Sequence, residues 1–265
     1  SDCELIVVSN FEKGIAEIKT EIPSARFFIF PDTTTVPQLR VFGVNRTRGA
    51  IVALVEDLCT FDSRWLVEIK KAHESPYNVI GGAVENANGL KALDWAVYFF
   101  DYGKYGLPVR AGAADSLSGT NVSYKKQALD QIRGKYEDGF YETFVHVELK
   151  NRGVELYLEP SAVVYHNKTY DLKKTVAQFY HQARSFAARR VFESPVSNRL
   201  FFTAGSLILP VMFLARFILR ATSKKRNFGE LLISLPFLTI LIIVWTFGEF
   251  CGYAAGEDKS EQHWK

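Results

Sequence analysis

Short apolar runs alternate with amphipathic segments along the first two thirds of the chain. Three of the apolar runs predict buried strands, at residues 4–8, 26–30 and 50–55. Each is followed by a segment that predicts a helix, at residues 12–21, 36–48 and 62–73. Apolar runs that alternate with helices in this way are typical of a parallel sheet covered by helices on both faces. The pattern therefore predicts an α/β doubly wound fold, in which ligands bind at the carboxyl ends of the strands.

The middle of the chain continues this pattern less regularly. Further strands are predicted at residues 79–84, 119–124, 154–158 and 162–165. Further helices are predicted at residues 90–102, 141–151 and 172–191. The last of these helices carries basic residues beside an apolar stripe, namely Arg184, Arg189 and Arg190. A basic amphipathic helix of this kind suits the surface of an anionic membrane.

The composition changes at residue 196, where a membrane-associated part is predicted to begin. Residues 200–215 and 231–248 contain no charged side chain, and a basic stretch lies between them. The second run has the length of a transmembrane helix. The first run is interrupted by Pro210, so it either spans with a tilt or lies in the interface. We therefore predict a globular domain at residues 1–195 and membrane-associated segments at residues 196–265.

The overall composition excludes several classes of protein. Lys and Arg number 32 and Asp and Glu number 29, a balance of +3 that does not favour nucleic acid as a partner. Hydrophobic residues make up 48% of the chain, which excludes a disordered protein. The three cysteines are widely separated, which argues against a disulfide scaffold and a zinc site. The chain starts at Ser1 without an initiator methionine, so we expect it to be a piece of a longer protein.

Candidate chemistry begins where the third predicted strand ends. That strand delivers Glu56 and Asp57 to its carboxyl end, and a helix containing Trp65 follows. Hard divalent cations bind carboxylate oxygens and share them with phosphate groups. The arrangement therefore favours a site for a metal ion and a diphosphate.

This acidic stretch resembles the DxD region of family 2 glycosyltransferases, which have the GT-A fold. Other segments resemble motifs of the same family in the same order: Leu39-Arg40 with Gly43, Gly81-Gly82-Ala83-Val84, Gly119-Thr120-Asn121-Val122-Ser123-Tyr124-Lys125, Phe140-Tyr141-Glu142-Thr143, and the strand from Pro160 to His166. The tail, with Trp245 and Gly248-Glu249, resembles that of membrane-attached bacterial members. The resemblance covers nearly the whole chain. It implies a GT-A sheet with helices on both faces and C-terminal membrane helices, and it leaves the family's first strand and helix without a counterpart.

The resemblance implies an inverting glycosyltransferase that uses a nucleotide-diphosphate sugar. Glu142 corresponds to the catalytic base, which removes the proton of the acceptor hydroxyl. The positions implied in donor binding are Arg40, Glu56, Asp57 and Arg184. The positions implied on the acceptor side are Gly119 and Asn121. A divalent cation, Mg²⁺ or Mn²⁺, is implied, with Asp57 and His166 as its ligands.

The implied acceptor is a lipid-linked or envelope glycan, and the implied setting is a bacterial inner membrane. The basic stretch between the apolar runs predicts a cytoplasmic position for itself. If both runs span, the catalytic domain faces outward; if only the second spans, the domain is cytoplasmic. We expect the cytoplasmic arrangement, because the donor is made in the cytosol.

Two departures from the family leave a second hypothesis open. Leu58 stands where the family has a further metal ligand, and Thr143 follows Glu142 where the family has a second carboxylate. The chain is therefore either an active transferase or an inactive relative that binds nucleotide-sugar or scaffolds a membrane complex. The role of His146, one helical turn after Glu142, is also open between orienting that carboxylate and packing in the core.

Overall fold

The computed structural model describes residues 3–87, 91–256 and 260, and it confirms the predicted α/β class. The strands are β1 (Ile6–Ser9), β2 (Arg26–Ile29), β3 (Ile51–Val55), β4 (Cys59–Phe61), β5 (Val79–Asn86), β6 (Gly112–Ala114), β7 (Asn121–Lys125) and β8 (Leu156–His166). The α-helices are α1 (Ile15–Glu21), α2 (Val36–Arg46), α3 (Trp65–Ala72), α4 (Ala92–Val97), α5 (Lys126–Asp130), α6 (Glu142–Asn151), α7 (Leu172–Arg190), α8 (Val196–Ser206), α9 (Leu209–Lys224) and α10 (Phe228–Ala255). A π-helical turn, Tyr98–Tyr102, continues α4, and a 3₁₀ turn, Arg133–Lys135, follows α5. The predicted helix at residues 90–102 begins at a residue outside the described part.

The strands form two sheets rather than one parallel sheet. β1 and β2 pair in parallel, with Ile6 opposite Arg26. The larger sheet has the order β3-β7-β5-β8-β4, and β6 pairs with β8. The prediction of a parallel neighbour for β3 is wrong, because β7 runs antiparallel to both β3 and β5. A run of apolar residues reports burial but not strand direction, so the sequence pattern could not reveal this pairing.

The chain divides into two compact units. The first comprises Ser1–Val84 and Leu107–Tyr165, and the second comprises Glu85–Gly106 and His166–Lys265. The predicted boundary after residue 195 lies inside the second unit. The first unit has its own core, in which large side chains from β7, α5, α6 and the segment between those two helices are almost fully buried: Tyr124, Leu129, Tyr136, Phe140 and Leu149.

A buried amide holds the middle of the larger sheet together. The Nδ2 group of Asn121 donates to the carbonyls of Ala83 (2.9 Å) and Ala162 (2.8 Å), and its Oδ1 accepts from Nε1 of Trp65 (2.9 Å). Only glycine fits at position 82, since a Cβ there would lie 1.9 Å from the carbonyl oxygen of Ala162 and 2.3 Å from Nδ2 of Asn121. This network links β7 to β5, β8 and α3 by direct hydrogen bonds, and it fixes the strand ends near the candidate site.

The second unit is helical and is organised around α10. This helix is long and apolar enough to cross a membrane, and α8 with α9 forms a second apolar pair that is bent by 58° at its break. α7 approaches α10 closely through small residues: a Cβ on Gly252 would lie 2.3 Å from the carbonyl oxygen of Arg184. Gly248 meets Ala183 in the same way, with 2.8 Å between the added Cβ and the alanine Cβ. Small residues spaced four apart let two helix backbones approach, which explains this tight pair.

Candidate functional site

Three distant segments of the first unit meet at the guanidinium of Arg40. Its Nη2 donates to Oε1 of Glu56 (3.0 Å), and its Nη1 donates to Oε2 of Glu142 (2.6 Å). The arginine is 16 residues from one carboxylate and 102 residues from the other along the chain. The three side chains form what we call the Arg40 cluster. Its formal charge is −1, because two carboxylates face one cation.

Each element brings its side chain to the cluster for a local reason. α2 starts where Gln38 accepts the backbone N–H of Thr35 (2.9 Å), and this capped start presents Arg40 one turn later. Glu56 is the first residue beyond the paired part of β3, so its side chain emerges at the carboxyl end of that strand. Glu142 is the first residue of α6. The backbone N–H of Phe140 donates to the carbonyl of Pro37 (3.0 Å), which ties the start of α6 to the start of α2.

The backbone at Gly119 lies against the carboxyl group of Glu142. A Cβ on Gly119 would lie 2.6 Å from Cδ of Glu142, so a side chain at position 119 would displace the carboxylate. The sequence motif that contains Gly119 therefore has a spatial explanation. The glycine lets the turn before β7 approach the Arg40 cluster.

The electrostatics of the cluster keep Glu142 and Arg40 ionised. Burial raises the pKa of Glu142, but attraction to Arg40, the backbone N–H of Glu142 itself and the nearby His146 ring lower it, and its net pKa is below the usual value. Burial lowers the pKa of Arg40, but the charges of Glu142 and Glu56 more than offset this, and its pKa is raised. A position at the first turn of a helix also favours a carboxylate anion.

A neutral pair, Tyr124 and His146, supports the cluster from the core. The Tyr124 hydroxyl and Nε2 of His146 are 2.9 Å apart, and both side chains are buried. Burial lowers the pKa of His146 to about 4, with Glu142 opposing and Lys150 adding to the shift, so the imidazole is neutral at pH 7. Burial and the Glu142 charge raise the pKa of Tyr124 well above its usual value. The sequence analysis left the role of His146 open and did not single out Tyr124, although Tyr124 lies within the motif that starts at Gly119.

The remaining residues proposed from the sequence make no hydrogen bond or ion pair with the Arg40 cluster among those described for it. Asp57 is exposed in the turn after Glu56. Burial of the Cys59 thiol raises its pKa to about 12, and the charges of Glu56 and Asp57 add to this shift. The side chain of Asn121 is fully buried, and its amide atoms bond to the fold as described above. His166 and Arg184 belong to the second unit.

In the second unit, the His166 ring lies 4.7 Å from the Tyr102 ring and stacks on the Tyr170 ring at 6.2 Å. Burial and, secondarily, Lys168 lower the pKa of His166 to about 4, which leaves a neutral imidazole. Nη1 of Arg184 lies 3.3 Å from the hydroxyl of Tyr180, one turn earlier on α7. Within residues 3–87, 91–256 and 260, no group of three or more His, Cys, Asp and Glu side chains is placed to hold a metal ion.

The fold can be compared with those of proteins of known structure. A mannosyltransferase from Pyrobaculum calidifontis, solved with GDP-mannose and Mn²⁺, matches 93% of this chain and 77% of its own, with a TM-score of 0.55 and 13% identity. TarS of S. aureus (residues 1–349) matches 85% of this chain and 64% of its own, with a TM-score of 0.45 and 13% identity. No family model and no curated protein matches the sequence. The likeness to the mannosyltransferase shows that the chain has a glycosyltransferase-like fold, as predicted.

Proposed function

We propose that the chain is an inverting glycosyltransferase of family 2 that transfers a sugar from a nucleotide-diphosphate donor. The observation that carries this proposal is the Arg40 cluster. It joins a carboxylate at the carboxyl end of β3, where ligands bind in α/β sheets, to a carboxylate at the start of α6 through one arginine. The mannosyltransferase with the similar fold was solved with GDP-mannose, which supports a nucleotide-sugar donor.

Glu142 acts as the general base in this proposal. Its carboxylate takes the proton of the acceptor hydroxyl, and the hydroxyl oxygen attacks the anomeric carbon as the bond to the diphosphate breaks. The ion pair with Arg40 keeps Glu142 ionised before the substrates arrive, and Gly119 leaves the carboxylate room. Tyr124 and His146 are positioning residues in the core beside it.

Arg40 binds the donor diphosphate. A guanidinium offers paired donors that fit phosphate oxygens as well as carboxylate oxygens, so the diphosphate can compete with Glu142 and Glu56 for the same N–H groups. The exchange releases Glu142 from its ion pair and raises its pKa, which makes the carboxylate a stronger base at the moment when the donor is bound.

A divalent cation fits this site only with help from the substrate. Glu56 is already paired with Arg40, Leu58 has no ligand atom, and Asp57 is the exposed carboxylate at the end of β3. Mg²⁺ is commonly held by one or two carboxylates together with substrate phosphates, so Asp57 would hold it together with the donor diphosphate. The cation would neutralise charge on the leaving diphosphate. The mannosyltransferase with the similar fold was solved with Mn²⁺.

We further propose that the acceptor is a lipid-linked or envelope glycan and that the protein works at the cytoplasmic face of a bacterial membrane. The apolar helix α10 supports attachment to a membrane. In this arrangement residues 1–195 supply the catalytic domain, and residues 196–265 bring it to the lipid. Asn121 keeps the acceptor side of the sheet in place through the hydrogen bonds of its amide.

An inactive relative that binds nucleotide-sugar is the second candidate, and Leu58 favours it. Incubation of the chain with a panel of GDP-, UDP- and TDP-sugars separates the two, with Mg²⁺, Mn²⁺ or EDTA present and release of nucleoside diphosphate as the readout. The transferase proposal expects release for one donor class, stimulated by a membrane extract that supplies the acceptor. Saturable donor binding with no release under any of these conditions would support the inactive relative.

A further inference from the structure

The apolar helix α10 has one side covered by protein and one side exposed. On the covered side, Leu231, Leu238 and Leu241 are almost fully buried in the helical core of the second unit. On the other side, Ile233, Ile240 and Phe247 are 60%, 40% and 59% exposed. These three residues are seven apart, so they form one stripe along the helix. The stripe extends for about 21 Å at about 1.5 Å per residue.

Charged side chains lie close to both ends of α10. Near its carboxyl end, α7 packs against Gly248 and Gly252, and Nη1 of Arg190 lies 3.3 Å from the hydroxyl of Tyr253. α4 and the π-helical turn also pack on α10, where the Phe100 ring lies 5.2 Å from the Trp245 ring. Arg226 pairs with Glu85 (3.2 Å) just before α10 begins.

This packing conflicts with a helix that crosses a bilayer. α7 carries five Lys and Arg residues in 19 positions, and it is a direct neighbour of α10. If α10 crossed the hydrocarbon, which is about 30 Å thick, the basic helix beside it would enter the hydrocarbon as well. An ionised side chain near the centre of a bilayer is strongly unfavourable.

The two other apolar helices of this unit are exposed in the same manner. Both α8 and α9 pack on α10, yet Phe201 on α8 and Val211 on α9 are each 71% exposed. Monomeric soluble domains rarely expose contiguous apolar surface of this kind, so it marks an interaction site. Exposed basic residues lie on the same helix: Arg216 is within α9, and Lys225 is the residue that follows its end.

We propose that the second unit is a monotopic anchor, in which α8, α9 and α10 lie in the plane of one leaflet of an anionic membrane. Their exposed apolar side chains enter the acyl region, Arg216 and Lys225 contact acidic headgroups, and α7 with its charges stays on the aqueous side of α10. The chain thus binds one face of the bilayer and does not cross it. This inference concerns attachment alone, and it does not depend on sugar transfer.

The depth of three labelled positions tests this proposal. In three separate variants of the full chain, cysteine replaces Ile233, Ile240 or Phe247. Cys3 and Cys251 are changed to Ser in all three variants. Cys59 is retained, because it is buried and its thiol pKa of about 12 makes it unreactive. Each protein carries a bimane label and is bound to vesicles of phosphatidylcholine and phosphatidylserine that contain spin-labelled lipids at known depths. The control is Lys173→Cys on α7, an exposed position of the same unit that lies on the aqueous side in this proposal and should not be quenched.

The monotopic arrangement is expected to give equal depths for all three labels, to within about one helix radius. A helix that crosses the bilayer would place labels at 233 and 247 about 20 Å apart in depth, and that result overturns the proposal. Absence of quenching at all three labels, or burial of the stripe in a dimer of the chain, overturns it as well.

The double variant Arg216→Gln, Lys225→Gln tests the headgroup contact. It should bind acidic vesicles at least fivefold more weakly than the parent chain and bind neutral vesicles as before. An equal loss of binding to both kinds of vesicle would contradict the headgroup contact.

Discussion

At the scale of single residues, the arrangement of Arg40 between two carboxylates determines how the site can work. A carboxylate paired with a guanidinium at 2.6 Å is ionised over a wide pH range, but it is a poor proton acceptor. In the proposed mechanism, the donor diphosphate draws Arg40 away from Glu142, and the carboxylate becomes a stronger base. The free and donor-bound proteins should therefore differ in the basicity of Glu142.

The pH dependence of turnover should reveal this difference. The acid limb of kcat/KM reports the free protein, in which Arg40 lowers the pKa of Glu142, and the limb of kcat reports the complex with donor. We expect the acid limb of kcat at higher pH than that of kcat/KM. Identical limbs in steady-state profiles from pH 4 to 8 would show that Arg40 does not leave Glu142 when the donor binds.

Three buried histidines should make stability depend on pH. Burial lowers the pKa values of His73, His146 and His166 from 6.5 to about 4. The charges of Lys125 and Lys168 add to the lowering at His73 and His166 respectively. At His146, Glu142 opposes the lowering and Lys150 adds to it. Between pH 6.5 and about pH 4, these histidines bind protons in the unfolded chain but not in the folded chain. Stability is therefore full above about pH 6.5 and falls as the pH drops toward 4, by about 1.4 kcal/mol per pH unit for each histidine.

Urea unfolding at pH 7.0, 6.0 and 5.0 measures this dependence. Nε2 of His73 is 2.8 Å from the hydroxyl oxygen of Ser123, so a His73→Gln variant keeps a polar partner but cannot titrate. Its free energy of unfolding should change less steeply with pH than that of the parent chain. Parallel slopes for the two proteins would show that His73 titrates normally in the folded state.

At the scale of secondary structure, the sequence was informative where burial and capping act locally. Most of the predicted strands and helices are confirmed within a few residues, because apolar periodicity follows which side of an element meets the core. The three-residue strands β4 and β6 were missed, since so few residues show no alternation. β8 was split at Pro160, although the structure continues the strand through that residue. Strand direction depends on distant partners, so β3 was assigned the wrong kind of neighbour.

The contact between α7 and α10 can be tested at this scale by substituting glycines. A Gly252→Val change places new atoms within 3 Å of the backbone and Ala187 of α7, and overpacking of this kind typically costs about 1–3 kcal/mol. Gly229 is the matched control, because it lies on the same helix with nothing within 4 Å of an added Cβ. Gly229→Ala should gain up to about 1 kcal/mol from helix propensity.

Thermal unfolding of both variants gives the comparison. Gly252→Val should lower the midpoint, and Gly229→Ala should leave it unchanged or raise it. If both variants unfolded at the temperature of the parent chain, the close approach of the two helices would not contribute to stability.

At the scale of the whole molecule, the sequence anticipated the fold class better than the site. The motif that contains Glu142 and the strand that precedes Glu56 could be compared with a family, because each is continuous in sequence. The roles of Tyr124 and of the Asn121 amide could not be read in this way, since their partners come from separate elements. The compact units also interleave along the chain, which a linear reading of composition does not reveal.

Substitution of Glu142, compared with Glu148, tests the central claim most directly. Both residues lie on α6, both are half-buried, and both pair with an arginine, Glu142 with Arg40 (2.6 Å) and Glu148 with Arg152 (3.0 Å). Glu148 therefore controls for loss of a carboxylate and of an ion pair on the same helix. Only Glu142 is joined through its arginine to the end of β3.

The measurement is the turnover of the donor that the parent chain uses, with donor affinity determined in parallel by calorimetry. We expect Glu142→Gln to lower kcat by about 10²–10⁴-fold, the usual contribution of a general base, with donor affinity within a few-fold of the parent. Glu148→Gln should retain nearly full turnover. Full turnover by Glu142→Gln, or an equal loss in both variants, would contradict the assignment of catalysis to the Arg40 cluster.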